Sequence, residues 1–248
     1  MKKIILSIAV ASSLVMTSCD VLTEVADTAI GATTNGSGTA APSLTNDEVI
    51  AGLKEALTVG IKNGAGMASK MDGFLKNSEI RLPFPPDAQK VKEKAIDLGL
   101  QNKVDEFETT LNRAAEEACK EAAPIFVDAI KNMSIADGFS ILKGEDNAAT
   151  NYLKDKTTAS LKTAFAPKVQ AAIDKVQLTK YWEPLTKAYN TSTMFSGKEE
   201  VNTDLNEYVT DRAISGLFLL VEKEEKKIRK DPVARVTDIL QKVFSTLD

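Results

Sequence analysis

The chain contains no histidine. The commonest general base and the commonest transition-metal ligand are therefore both missing. Two cysteines, Cys19 and Cys119, are too few for a disulfide framework, and a chain of 248 residues does not need one. No Walker loop, G-x-S-x-G elbow, C-x-x-C pair, D-x-D-x-D-G loop or E-x-x-H element occurs. That leaves no metal or cofactor motif, and none is expected. Basic excess is lacking too. Lys and Arg number 31 against 35 Asp and Glu, a formal charge of −4. Nucleic acid is a poor partner for such a chain, because phosphate neutralisation needs a basic face. Nor does any predominantly apolar run reach the ~20 residues of a membrane-spanning helix. The apolar stretch "GLFLLV" (216–221) meets Glu222 at once and reads as helix core.

What is present begins with an address. Lys2 and Lys3 precede an uncharged stretch, Ile4–Met16, which has the length of a signal-peptide h-region. Thr17 and Ser18 then lead into Cys19, so "VMTSCD" (15–20) resembles a bacterial lipobox, with Met16 where leucine is usual. Cleavage before Cys19 and acylation of its thiol are expected. Two or more acyl chains anchor stably where one does so marginally. Asp20 resembles an inner-membrane retention signal of some bacteria, and the choice of membrane stays open. Without Lys2 and Lys3 the charge of the mature body falls to about −6. The acidic body offers the bilayer no polybasic help, and the lipid has to hold it.

Residues 1–18 are thus expected to be a signal peptide, and 19–43 a lipidated cysteine with a flexible tether. The stretch "GATTNGSGTAAPS" is too poor in large apolar groups to pack. As a coil it would set the body roughly 25–30 Å from the lipid. Residues 44–248 read as an all-α, irregular multi-helix bundle in a single domain. Thr45 and Glu48 stand at capping-box spacing, with Val49, Ile50, Leu53, Ala56 and Leu57 on one face behind them. "NGAGMASKMDG" reads as a break, and the prolines of "IRLPFPP" (80–86) require an extended crossing. Pro86 suits the first turn of a helix ending before Gly99.

Next comes a helix from about Lys103 to Ala122, buried through Val104, Phe107, Leu111, Ala114, Ala115 and Ala118. Pro124 starts or kinks its successor. Ser134 and Asp137 cap a short helix stopped by Gly144, and Asn147 to Ala164 is helical, with Pro167 marking a new start. "KYWEPLTKAYN" holds the single tryptophan, Trp182, in a short helix. A long helix from Asp204 to Arg229 carries Glu222–Lys226 and Glu225–Arg229 pairs, and Asp231-Pro232 starts the last one.

Five stretches carry a resemblance: "IRLPFPP", "FETTLNRAAEEA", "AATNYL", "LNEYVTDRAISGLFLLVEKEEKKIRKDPVAR" and "TDILQKVF". Together they resemble the domain of unknown function 4197, a family of bacterial envelope proteins, over residues 44–248. The resemblance implies an α-helical domain. It implies no activity and carries over no catalytic or binding residue.

The polar residues of those stretches are the candidate site. Asn112, Arg113, Glu116 and Glu117 share one helix, with Asn112–Glu116 and Arg113–Glu117 at i,i+4 spacing. They fit a polar ligand, or an ion pair and a contact to a neighbouring helix. Glu225, Arg229 and Arg235 surround a helix corner, where two arginines can grip an anion or lock helix ends. The crossing segment can present Phe84, set between prolines, for docking, or Arg81 can pin it while Leu82 and Phe84 plug the bundle.

Two functional readings follow. One is a lipid-anchored, non-enzymatic module at the cell envelope that binds a protein or a small hydrophobic ligand, which calls for an apolar groove or patch. The other is a carboxylate-dependent enzyme acting on an envelope polymer or lipid, aided by Tyr152 or Tyr208. It calls for a cleft where Glu116, Glu117, Arg229 or Arg235 converge.

Overall fold

The computed structural model describes residues 45–97, 99–175, 182, 191 and 204–245, all within one unit, Pro42–Asp248. Cys19, the signal and the tether lie outside the described residues. So does the short helix expected over 180–190, apart from Trp182, which is helical and buried.

Local chemistry sets several helix starts. Helix α1 (Asn46–Ser69) opens on a complete capping box: Glu48 N–H donates to Thr45 Oγ1, and Thr45 N–H donates back to Glu48. The crossing segment leads through a 3₁₀ turn at Pro86–Ala88 into α2 (Gln89–Asp97), which stops short of Gly99, whose φ is +76°. Helix α3 (Gln101–Ala118) buries all six residues of its expected apolar face and passes through a 3₁₀ turn at Cys119–Glu121 into α4 (Ala122–Lys131). A second capping box, Ser134 with Asp137, opens α5 (Ile135–Leu142). Helix α6 (Ala148–Lys175) follows, then α7 (Leu205–Lys230), N-capped by Asp204. Asp231 caps a 3₁₀ turn at Pro232–Ala234, and α8 (Asp238–Phe244) begins later than Asp231-Pro232 suggests.

Helix α7 is the hub. Helices α1, α3 and α6 pack on it, α4 lies against α1 and α6, and α8 lies on α1. No strand occurs among the described residues, and the fold is all-α. One contiguous buried cluster runs through these helices and includes Phe74, Leu82, Phe126, Phe165 and Leu217. None of the described helices is long and apolar enough to cross a membrane.

Two expectations fail here, both through tertiary packing. The glycine-rich stretch breaks later than its glycines suggest: α1 runs through Gly64 and Gly66 to Ser69, and the chain turns only from Lys70 to Gly73. A Cβ on Gly64 would lie 3.2 Å from the Val221 backbone of α7, so this glycine lets two helices approach closely. Pro167 starts nothing and sits inside α6. An interior proline costs about 3 kcal/mol. Burying a side chain such as Phe165, Val169 or Ile173, all on α6, returns roughly 1.5–3 kcal/mol.

Candidate functional site

Helix α3 places Glu108, Asn112 and Glu116 one turn apart on a single buried ridge. All three face the segment between α1 and α2 and bind its backbone. Glu116 Oε1 accepts from the amides of Phe74 and Leu75 at 3.1 and 3.2 Å. Asn112 Oδ1 accepts from Leu82 N at 2.9 Å, while its Nδ2 donates to Leu82 O at 2.8 Å and to Glu108 O at 2.7 Å. Glu108 accepts from Phe84 N, from Arg81 Nη2 at 2.9 Å and from Lys92 Nζ at 2.7 Å. The prolines forbid helix around Leu82–Phe84, and the α3 ridge satisfies the amides left there without helical partners; Glu116 does the same for Phe74 and Leu75 in the turn after α1.

The apolar residues of the segment act as plugs. Leu82 and Phe84 are buried, and Phe84 stacks on Phe107 with centroids 4.6 Å apart, with Trp182 at 5.7 Å from Phe84. Tyr208 of α7 closes the clamp by donating to Pro83 O at 3.1 Å.

Arg113 differs from its expected pairing. It bonds Glu116, one residue nearer than Glu117, and Asp72, both at 2.6 Å, whereas Glu117 is exposed and pairs with Lys120. Asp72 adopts φ +65° at the turn after α1, and its hydrogen bonds to Lys76 and Arg113 hold its carboxyl below the usual range. The Asn112–Glu116 pair is likewise replaced by separate bonds to the crossing segment. Cys119 is buried at the end of the ridge, where desolvation, then the Glu116 charge, pushes its thiol pKa far up. Such a thiol is inert.

The second cluster is the corner at the end of α7. Glu225 is buried and accepts from Ala149 N at 2.9 Å, Thr150 N at 2.8 Å and Thr150 Oγ1 at 2.8 Å, so it caps the first turn of α6. Arg229 pairs with Glu225 at 2.9 Å and donates to the carbonyls of Ile141 and Leu142, the last turn of α5. Arg235 donates to the carbonyls of Ile228 and Arg229, closing the end of α7, and its guanidinium lies over the Phe244 ring at 5.8 Å. Three helix ends are thus satisfied by two arginines and one glutamate.

The candidate residues therefore fall into separate networks. Arg81, Asn112, Arg113 and Glu116 fasten the crossing segment; Glu225, Arg229 and Arg235 fasten helix ends; Glu117 stands in a surface pair. The ridge also contains Glu108, and the corner Thr150, neither of which the sequence singled out. The i, i+4, i+8 spacing of Glu108, Asn112 and Glu116 was the available signal.

The spaces beside these two networks are modest. Between α1, α6, α7 and α8 an apolar space lined by Leu57, Ile61, Leu153 and Phe244 measures about 20 Å³, the size of a single water. Beside the corner, Val233 and Val236 are 87% and 65% exposed and flank a notch of about 190 Å³ floored by Val59 and Ile228.

Comparison with known proteins finds no match among curated proteins and none among solved structures. A family model described as "Protein of unknown function (DUF4197)" matches residues 43–245, which takes in the α3 ridge, the crossing segment and the α7 corner. The chain belongs to that family.

Proposed function

We propose that the protein is a lipid-anchored envelope protein, held at a bacterial membrane surface through Cys19, whose helical body acts by binding rather than by catalysis. The lipobox-like stretch and the small-residue tether support the anchoring. The binding reading rests on one observation: the candidate acids and arginines, Glu117 apart, are engaged by backbone amides, carbonyls and each other. A residue that holds the fold in this way is poorly placed to move a proton to a substrate. The corner of Val233 and Val236 supports docking of a protein partner, since two exposed valines beside a notch with an apolar side (Val59, Ile228) and a charged side (Glu224, Lys227, Asp231) gain by being covered.

Intact-mass measurement of native material tests the anchor. An acylated Cys19 start is expected, and Cys19→Ser is expected to leave the membrane fraction. An unacylated start, or unchanged fractionation of Cys19→Ser, overturns it. Crosslinking in intact cells tests the docking. Asp at both Val233 and Val236 is expected to abolish a discrete crosslinked product, and an unchanged product removes the corner from the interface.

A further inference from the structure

Not every polar group is spent on the fold. Between α4, α5 and α6 lies an open groove of about 560 Å³, within the 300–1,000 Å³ range of small-ligand sites. Its floor includes Ile125 and Ala129 of α4 and the half-buried ring of Tyr152 on α6. Asp128 of α4 supplies a carboxylate; Asp137 of α5 supplies a second, whose Oδ2 already accepts from Ser134. Lys156, one turn along from Tyr152, supplies an ammonium held 5.8 Å from the Tyr152 centroid and near enough to Asp137 to help lower its pKa. Among the described residues Lys156 forms no salt bridge and the Tyr152 hydroxyl bonds no protein atom. Asp128 has only a 3.4 Å contact from Asn132. Burial and then the Asp137 charge raise the Tyr152 pKa, so the hydroxyl stays protonated and able to donate at neutral pH.

One side of the groove is thus acidic, the α6 side offers an ammonium and a hydroxyl, and the floor is apolar. We propose that this groove binds a small zwitterion bearing a primary ammonium and an anionic phosphate, of which phosphoethanolamine is the simplest example. The ammonium sits against Asp128 and Asp137, and the phosphate against Lys156 and Tyr152. A ligand of one sign would meet one of the two sides unfavourably, whereas a dipolar one satisfies both. The same headgroup can come from a phospholipid or from a free solute. The inference rests on the binding reading above but not on acylation.

Calorimetric titration of full-length Cys19→Ser protein with phosphoethanolamine tests it. Saturable binding is expected. The exposed double variant Asp128→Asn/Lys156→Gln is expected to raise Kd about tenfold. Phosphocholine, which has no N–H donors, is expected to bind more weakly than phosphoethanolamine. Asp137 is left intact because it caps α5, and circular dichroism confirms that the double variant folds. Absence of saturable phosphoethanolamine binding, an unchanged Kd in the folded double variant, or equal binding of phosphocholine overturns the proposal. Co-sedimentation with phosphatidylethanolamine vesicles but not phosphatidylcholine vesicles identifies the lipid as the source. Binding of the free zwitterion without co-sedimentation identifies a solute. Because the protein tested carries no acyl chain, failure here leaves the Cys19 anchor standing, and loss of that anchor leaves this result standing.

Discussion

Asn112 makes three hydrogen bonds from a fully buried position, two of them to Leu82. An amide side chain alone offers a donor and an acceptor side by side, which is what an extended backbone presents. Asn112→Ala strands the Leu82 N–H and C=O without water, at about 1–3 kcal/mol for each unsatisfied group. The expected loss is about 3 kcal/mol in urea unfolding, and a loss below about 1 kcal/mol would mean the segment finds other partners. Asp137 shows a different dependence. Its carboxyl lies below the ordinary value because the Ser134 hydroxyl and then the Ser134 amide donate to it. An acid with a lowered folded pKa stabilises fully above its unfolded value, near 3.9, and loses that contribution as pH falls through the folded pKa. The Tm gap between wild type and Asp137→Asn is therefore expected to be constant from about pH 8 to pH 5 and to close below about pH 4. A gap that persists there would assign the cap's value to shape rather than charge.

At the scale of the element, what was legible in the sequence was what is local. Both capping boxes, the proline-enforced crossing and the apolar face of α3 need only neighbours within a few residues, and each formed as read. The glycines of α1 and Pro167 of α6 were misread because their consequences are settled by a helix distant in sequence. Gly64 and Gly66 separate these causes. A Cβ at Gly66 meets nothing within 4 Å, whereas one at Gly64 crowds the Val221 backbone. Gly66→Ala is expected to stabilise by about 1 kcal/mol through helix propensity alone. Gly64→Val is expected to destabilise by about 2 kcal/mol, because α1 and α7 must part. Thermal melts of the pair check this, and a matching sign at both positions would refute the close-approach reading. The candidate residues were legible in the same limited way: their polarity and helical spacing were visible, their partners were not. Nothing in "LNRAAEEA" tells that Arg113 reaches back to Asp72, or that Glu116 binds Phe74 and Leu75.

For the whole molecule, the ridge on α3 and the corner on α7 do complementary work. The first fastens the longest non-helical stretch of the described body, and the second fastens the ends of α5, α6 and α7 to one another. Among the described residues no hydrogen bond joins them, yet both border the same buried cluster. If that cluster makes the body cooperative, damage at the corner must be felt at the ridge. Trp182 permits the test, because it is the only tryptophan and packs on Phe84 and Phe107 at the clamp end, in a different network from Glu225. Glu225→Ala leaves the α6 amides unpaired and Arg229 without its carboxylate, though still bonded to the Ile141 and Leu142 carbonyls, and breaking a buried pair costs about 3–5 kcal/mol. Tryptophan fluorescence and far-ultraviolet circular dichroism are expected to shift to lower urea together, with one common midpoint. A dichroism midpoint that falls while the fluorescence midpoint stays would show the α5–α6–α7 corner opening on its own, with the α3 clamp remaining folded as a separate unit.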